Sequence, residues 1–378
     1  MFQNLLNSCQ NAFFNDILGN WQVHAFDPAK GFSFESMKHN WERNEVGRVR
    51  LLTQCRQLYT LSHASLCHQD TVNTSLLAPL FEFIICHYWQ DQRWIFSLND
   101  DLDVLDTKTD AYAMAFVLLS FSHYYLATED KRATQYIKAT HDFLQNHMRS
   151  EFGGFDECYP LDRQLVRRQN PHMHLLEGYL AAYKATEEPE YKDQIDTLLE
   201  LARDTFFDPE TSTLREFFQS DWSIHPSDGH LIEPGHHFEW IWLLHEANKV
   251  SPNPMNLNIS KSLWSVASKY GVSDSSGVFN QIHAETYEIL DAEKRIWPIT
   301  EYLKALCVIE LKNDEKVKRF EKALAFLKNH YFTNDGRWNE YLDKRDIPKD
   351  FPLPGTTTYH IFLGLHEVIN WSQTEFTK

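Results

Sequence analysis

The chain has 378 residues, of which 43% are hydrophobic and 24% are charged, as is ordinary for a globular protein. Its 36 Lys and Arg against 53 Asp and Glu give a net charge of −17. This acidic balance argues against nucleic acid and against an anionic membrane surface as partners, because both bind clustered Lys and Arg.

Apolar residues recur at helical spacing along the whole chain, whereas the alternating pattern of strands is almost absent. Three Gly-containing stretches between helices, 152–155, 276–279 and 335–338, predict tight turns or short hairpins. The predicted helices form six pairs, in chain order 3–18 and 46–65, 73–90 and 109–127, 131–147 and 172–186, 190–205 and 235–249, 257–270 and 298–312, 314–330 and 357–370.

The second helices of these pairs begin at a nearly constant interval of about 63 residues, which indicates an internal repeat. A helical hairpin cannot bury its apolar stripe alone, so the six pairs must stack. Long loops inside the pairs favour a closed (α/α)6 barrel, with a site on one rim, over an open solenoid. No linker or low-complexity tract divides the chain, so residues 1–378 are predicted to form a single all-α domain.

Other sequence features indicate a cytoplasmic protein. The N-terminus has no basic segment followed by a long apolar core, so no secretory signal is predicted. No stretch approaches the roughly 18 apolar residues of a membrane span. The six cysteines are scattered without a CxxC pair, which disfavours a disulfide framework and a thiolate zinc site.

Four polar residues stand at equivalent positions of the helical repeat. Tyr112, His174, His236 and His360 are spaced by 62, 62 and 124 residues. In a six-fold ring, residues at equivalent positions of the repeat lie at the same height on the barrel and face the same way. These side chains are therefore expected to converge on the barrel axis. Coincidence is the competing explanation, since the chain has 19 histidines.

Three segments at predicted helix starts each offer His or Glu: 170–177 (NPHMHLLE), 234–240 (PGHHFEW) and 297–301 (WPITE). A proline near each start is typical of the first helical position, and Asn170 is the predicted N-cap of its helix. His236 and Glu239 lie three residues apart and therefore share a helix face. The excess of His at these positions favours proton transfer near neutral pH.

Two other chemistries stay open on these residues. His172, His174 and His236 form a candidate zinc cluster, although HExxH is absent and His172 and His174 lie on different helix faces. Glu239 and Glu301 are candidate carboxylates of a glycosidase, which needs two of them across the scissile bond. The GxGxxG and GxxxxGK[ST] motifs are absent, so no dinucleotide or P-loop site is indicated.

The three segments, together with Gln-Cys-Arg at 54–56 and Tyr-His at 359–360, resemble the N-acylglucosamine 2-epimerase superfamily, which includes aldose–ketose isomerases and cellobiose 2-epimerases. The resemblance covers nearly the whole chain and implies an (α/α)6 barrel. It implies that His236 and His360 are the acid/base pair and that Arg56 holds sugar oxygens near the carbonyl. It also implies further substrate contacts on the rim from Tyr112, Asn170, His174, Glu239, Trp297 and Glu301.

The chain departs from the repeat at Arg56, since the periodicity alone selects Arg50. It is most similar to the monosaccharide isomerases of the superfamily, so we expect interconversion of D-mannose and D-fructose through a cis-enediol, without a metal or an organic cofactor. A 2-epimerase of monosaccharides or N-acylglucosamine is the nearest alternative, and a glycosidase or a non-catalytic binding toroid is more remote. The expected partner is a small monosaccharide, and assembly into a homo-oligomer stays open.

Overall fold

The computed structural model describes residues 1–162 and 164–376. No helix in these residues is long and apolar enough to cross a membrane. The helices, in chain order, are α1 (Phe2–Asn11), α2 (Leu18–His24), α3 (Leu51–Cys67), α4 (Leu77–Tyr88), α5 (Ala111–Thr128), α6 (Lys131–His147), α7 (Gln169–Thr186), α8 (Pro189–Leu201), α9 (Pro234–Val250), α10 (Pro254–Tyr270), α11 (Ile296–Val308), α12 (Asn313–Phe326) and α13 (Thr357–Phe376).

Six of these helices form a closed inner ring. Helices α3, α5, α7, α9, α11 and α13 each pack against the next, and α13 packs back against α3. From α3 to α11, each inner helix also packs against the outer helix that follows it, and α1 packs between α12 and α13. A π-helical segment, Ala12–Ile17, joins α1 to α2 into the first outer helix. The predicted (α/α)6 barrel of six helical hairpins is therefore confirmed.

Small residues let the inner helices approach closely. A Cβ on Gly178 of α7 would lie 2.7 Å from the carbonyl oxygen of Ala115 in α5. A Cβ on Gly364 of α13 would lie 2.8 Å from Cβ of Thr300 in α11. Both distances are below van der Waals contact, so a larger residue at either position would push the two helices apart.

Many large aromatic side chains are buried in the core, and buried indole N–H groups bind polar partners. Trp21 donates from Nε1 to Oε1 of Gln57 at 2.8 Å, and Trp240 donates to Oε1 of Gln169 at 2.6 Å. These bonds cross from one helix to another and remove the cost of burying an unpaired N–H.

Short antiparallel strands join the loops at the end of the barrel where the inner helices begin. The strand that precedes each inner helix pairs with a strand of the next inter-helix loop, and Leu353–Pro354 pairs with Ser36–Met37 of the first loop. The paired sets are Phe26–Asp27 with Phe32–Ser33; Ser36–Met37 with Leu353–Pro354; Val49–Arg50 with Ser97–Leu98 and Val104–Asp106; Trp89–Gln90 with Arg93–Trp94; Thr109–Asp110 with Cys158–Tyr159; Arg167–Arg168 with Phe217–Phe218; Phe207–Asp208 with Thr213–Leu214; Leu231–Ile232 with Gln281–His283 and Ile289–Asp291; and Lys294–Arg295 with Tyr341–Leu342.

The strands explain why two predicted helix starts are wrong. Strands of two or three residues are too short to show alternation, so the sequence pattern missed them. Helix α3 begins at Leu51 rather than 46, because Val49–Arg50 pairs with the next loop. Helix α7 begins at Gln169, so its N-cap is Arg168 and Asn170 lies inside the first turn. The N–H of Gln169 is bonded to the carbonyl of Glu216, so a loop partner replaces the expected cap.

Candidate active site

All nine side chains predicted from the sequence lie on the amino-terminal halves of the inner helices, and each of the six inner helices supplies at least one. Short contacts connect them into one continuous set at the rim where the strands pair. Among the nine, Tyr112 and Asn170 are half-buried and the other seven are buried: Arg56, His174, His236, Glu239, Trp297, Glu301 and His360.

His360, at the start of α13, is held by a carboxylate of the neighbouring helix. Its Nδ1 lies 2.9 Å from Oε1 of Glu301 in α11, and the ammonium of Lys304 lies 2.6 Å from the other oxygen of Glu301. Burial, together with the charges of Arg56 and Lys304, holds the pKa of His360 well below 6.5. A neutral His360 therefore donates Nδ1–H to Glu301 and keeps a lone pair on Nε2.

His236, at the start of α9, has the opposite electrostatic environment. Its Nδ1 lies 3.1 and 3.0 Å from the two oxygens of Glu216, and its Nε2 lies 2.8 Å from the side-chain amide of Asn170. Burial by itself would lower the pKa of His236, but the carboxylates of Glu216 and Glu233 outweigh it and raise the pKa to about 9. His236 is therefore an imidazolium at neutral pH.

Trp297 stands between the two imidazoles. Its ring centroid is 5.0 Å from that of His236 and 5.6 Å from that of His360. A flat apolar surface flanked by an acid and a base suits a sugar ring, which presents C–H bonds on its faces and hydroxyls at its edge.

His174 and Glu239 line the next part of the rim. Nδ1 of His174 lies 3.1 Å from Oε2 of Glu177, and its Nε2 lies 3.9 Å from Oε1 of Glu239. Tyr359 donates its hydroxyl to both oxygens of Glu177 at 2.7 Å. Oε1 of Glu239 is buried and has no hydrogen-bond partner among the described residues, so it is an acceptor aimed at the site.

Arg56 lies one to two helical turns after the first residue of α3 and packs against aromatic rings. It donates to the hydroxyl of Tyr112 at 2.7 Å, and its guanidinium carbon lies 4.3 Å from the centroid of Phe116 and 5.0 Å from that of Tyr359. By contrast, Arg50 forms an ion pair with Glu35 at the start of α3. The geometry thus brings Arg56, rather than Arg50, to the predicted set.

The candidate zinc cluster of three histidines does not assemble. His172 turns away from His174, and its Nε2 accepts the N–H of Phe155 at 2.9 Å. Burial lowers the pKa of His172 to about 3. Within the described residues, two other groups at this rim bring ligand atoms within 4.8 Å of one another: His174, Glu177 and Glu239, and Glu239, Glu301 and His360. Glu301 is fully buried behind His360 and beside Lys304, which does not suit the glycosidase role in which it would face a scissile bond.

Three residues of this site were missed from the sequence: Glu216, Glu177 and Lys304. Glu216 lies in a loop, and it also accepts from Gln169 Nε2 at 2.7 Å. Similar carboxylates occur in other loops of the repeat: Glu35 and Glu157 accept the N–H of Arg50 and Arg168, the residues just before α3 and α7. A search for Glu residues that recur a few positions after the turn of each loop would have found Glu216 together with Glu35 and Glu157, because the loops repeat as the helices do.

Comparison with known proteins identifies the family of the chain. The family model described as N-acylglucosamine 2-epimerase matches residues 31–364. The chain is 31% identical over 369 residues to a mannose-6-phosphate isomerase of Rhizobium meliloti, covering 92% of each protein. It is 27% identical over 303 residues to a D-mannose isomerase of Marinomonas mediterranea, covering 75% of this chain and 76% of the relative.

The fold also matches solved structures. A cellobiose 2-epimerase from Bacillus thermoamylovorans superposes with a TM-score of 0.88 at 20% identity, over 97% of this chain and 99% of the other. The family model spans most of the barrel, including every predicted site residue. The chain therefore belongs to the N-acylglucosamine 2-epimerase family and is a sugar isomerase or epimerase.

Proposed function

We propose that this chain is an aldose–ketose isomerase that interconverts D-mannose and D-fructose through a cis-enediol. One observation carries the proposal: the buried imidazoles on either side of Trp297 have pKa values displaced in opposite directions. The pKa of His360 is held well below 6.5, whereas that of His236 is raised to about 9. Two titratable groups separated in this way can supply the base and the acid of one reaction.

His360 is the base. Its Nδ1–H is bound to Glu301, so the lone pair of Nε2 takes the proton from C2 of the open-chain aldose. The electrons of that C–H bond form the double bond of the enediol between C1 and C2. The same nitrogen returns the proton to C1, and the oxygen on C2 becomes the ketose carbonyl.

Arg56 stabilises the intermediate. The carbonyl oxygen becomes negative as the C2–H bond breaks, and a fixed cation lowers the barrier if it is in place beforehand. The aromatic rings around Arg56 hold its guanidinium, and its Nε is buried without a hydrogen-bond partner among the described residues. That N–H is available to a sugar oxygen.

His236 is the acid. As an imidazolium it donates Nδ1–H to Glu216 and Nε2–H towards the oxygens on C1, C2 or the ring. It assists ring opening of the pyranose and the exchange of protons between O1 and O2. The side-chain amide of Asn170 lies 2.8 Å from Nε2 through its nitrogen, so Asn170 accepts that proton only when the amide turns by 180° and presents Oδ1. His174 and Glu239 are left to bind the sugar hydroxyls, and Trp297 packs on the ring.

The arginines just before the inner helices differ in how they are paired. Arg50 and Arg168, just before α3 and α7, both form ion pairs with buried carboxylates, Glu35 and Glu157, so a phosphate dianion would be weakly attracted to them. Arg295, just before α11, forms no ion pair among the described residues and lies 5.8 Å from the centroid of the Trp297 ring. Mannose 6-phosphate is the substrate named by one relative, and it therefore belongs in the assay.

A 2-epimerase is the second candidate function. His236 and His360 flank Trp297 with ring centroids at similar distances, 5.0 and 5.6 Å. Two proton-transfer groups on opposite sides of one carbon would allow the proton to leave one face of C2 and return to the other.

Incubation with D-mannose in D2O, followed by NMR, separates these functions. The proposal predicts early D-fructose carrying deuterium at C1. Early D-glucose carrying deuterium at C2, ahead of fructose, would identify a 2-epimerase instead. Parallel incubations with mannose 6-phosphate and with cellobiose test the other named substrates, and faster turnover of either one would replace D-mannose as the substrate.

A further inference from the structure

A second cluster of ionisable side chains lies beyond the site, towards the opposite end of the barrel. The ring centroid of His63 is 4.6 Å from that of His123 and 4.8 Å from that of His366. The ring of His68 is 5.7 Å from that of His366, and Cys67 lies one helical turn beyond His63 on the same face of α3. None of these five residues takes part in the proposed reaction.

Three members of this cluster bring ligand atoms together. One ligand atom each from His63, Cys67 and His366 lie within 4.8 Å of one another. Nδ1 of His63 lies 3.0 Å from the hydroxyl of Tyr59, so its Nε2 is left for another partner. Two imidazoles and one thiol form a donor set of nitrogen and sulfur atoms, which suits zinc and similar ions rather than magnesium or calcium.

His366 has an unpaired buried nitrogen. Its side chain is 8% exposed, and its Nε2 lies 2.9 Å from Nδ2 of Asn370. Its Nδ1 is buried and has no hydrogen-bond partner among the described residues. An unpaired polar atom in this position is costly unless a ligand completes it.

We propose that His63, Cys67 and His366 form a site for a divalent ion of the zinc class. The Cys67 thiol loses its proton on binding, and water or His68 supplies the fourth ligand of a tetrahedral site. A cavity of about 560 Å³, lined by both His63 and His366, gives the ion access.

The position of the site defines its effect. His63 and Cys67 lie on α3, the first inner helix, and His366 lies on α13, the last. The ion would cross-link the two helices whose contact closes the ring. It would therefore stabilise the barrel without touching the sugar, since the proposed reaction occurs at the amino-terminal ends of the same helices.

Cobalt titration of the metal-free full-length protein tests the site. Co²⁺ bound to a thiolate gives a sulfur-to-metal charge-transfer band, which a site made of imidazoles and carboxylates does not give. We expect about one equivalent of Co²⁺ to develop this band and Zn²⁺ to displace it. We expect Zn²⁺ to raise the melting temperature as well.

The variants Cys67→Ser and His366→Ala are expected to lose the band and the Zn²⁺-dependent rise in melting temperature. Cys67→Ser is the cleaner test, because this side chain is exposed and its replacement should leave the fold intact. Cys86→Ser is the matched control, since Cys86 is also an exposed free cysteine and lies outside the cluster; it should keep both signals. Absence of the band in the unmodified protein, or its persistence in Cys67→Ser, would overturn the proposal.

Discussion

Nδ1 of His360 lies 2.9 Å from a Glu301 oxygen, and Nδ1 of His236 lies 3.0 Å from a Glu216 oxygen. The pKa of His360 is nevertheless lowered, whereas that of His236 is raised. The difference lies in the surrounding charges. Glu301 forms an ion pair with the fully buried Lys304, and the positive charge of Arg56 also lowers the pKa of His360. Among the described residues, Glu216 forms no ion pair with a Lys or Arg, and Glu233 joins it in stabilising the charged form of His236.

The pH profile of kcat/KM should be a broad bell. The base must be neutral, so the acid limb lies where His360 becomes protonated, well below pH 6.5. The acid must be charged, so the alkaline limb lies near pH 9, where His236 loses its proton. Initial rates of deuterium exchange across this range check the profile. A fall in rate centred near pH 7 would contradict these assignments.

The same shift links pH to stability. His236 has a folded pKa of about 9, above its ordinary value of 6.5, so its ion pair with Glu216 stabilises the fold fully below pH 6.5. That contribution disappears as the pH rises through 9. Urea unfolding of the unmodified protein and of His236→Gln should therefore differ more at pH 6 than at pH 10, and an equal difference at both pH values would contradict the linkage.

Replacement of either histidine should abolish most of the turnover. We expect His236→Ala and His360→Ala to lower kcat by at least about a hundredfold, because general acids and bases contribute roughly 10²–10⁴-fold. Circular dichroism should keep its helical signal. His24→Ala, at an exposed position on α2, is the control and should be fully active. Near-normal turnover in either site variant would remove that residue from the mechanism.

Glu216→Gln should move one limb of the pH profile. The amide keeps the shape but removes the charge that raises the pKa of His236, so the alkaline limb should shift to lower pH while the acid limb stays in place. A merely structural role would lower the rate equally at all pH values. Glu157→Gln, which alters the matching loop carboxylate before α7, is the control and should leave the alkaline limb unchanged.

Gly235→Ala should disturb catalysis through Trp297. A Cβ at this position would lie 2.5 Å from the indole ring, which must move away from the space between the two histidines. We expect kcat to fall by roughly tenfold to a hundredfold, since small displacements at a reacting centre are costly. Gly19→Ala, where a Cβ would contact nothing within 4 Å, should be neutral. Unchanged kcat in Gly235→Ala would show that Trp297 does not position the sugar.

Chelation should leave sugar turnover intact. The proposed reaction uses proton transfer between His360, His236 and the sugar, so exhaustive dialysis against a chelator should not lower the exchange rate. The measurement should use Cys67→Ser as well as the unmodified protein. If chelation abolishes turnover in both and Zn²⁺ restores it in both, a metal acts at the rim, where Glu239, Glu301 and His360 converge.

The sequence alone predicted the barrel, because a repeat of about 63 residues requires six hairpins to stack and its long loops favour a closed ring over an open solenoid. The packing of α13 against α3 then showed that the ring is closed. The sequence also pointed to the candidate site residues at the helix starts, because segments such as 234–240 combine a helix-initial proline with His and Glu. Helix boundaries were less accurate: α7 begins before the predicted N-cap Asn170, since Glu216 of a distant loop supplies the partner for the first N–H.

Tertiary structure alone decided the electrostatics of the site. Glu216 precedes His236 by 20 residues, and Glu301 precedes His360 by 59, so no local spacing pairs them. The periodicity selected Arg50, and only the family resemblance pointed to Arg56; the structure packs the Arg56 guanidinium against Phe116 and Tyr359, where its charge acts on His360. The direction of each pKa shift depends on burial and on charges brought from several helices, and a linear sequence contains neither quantity.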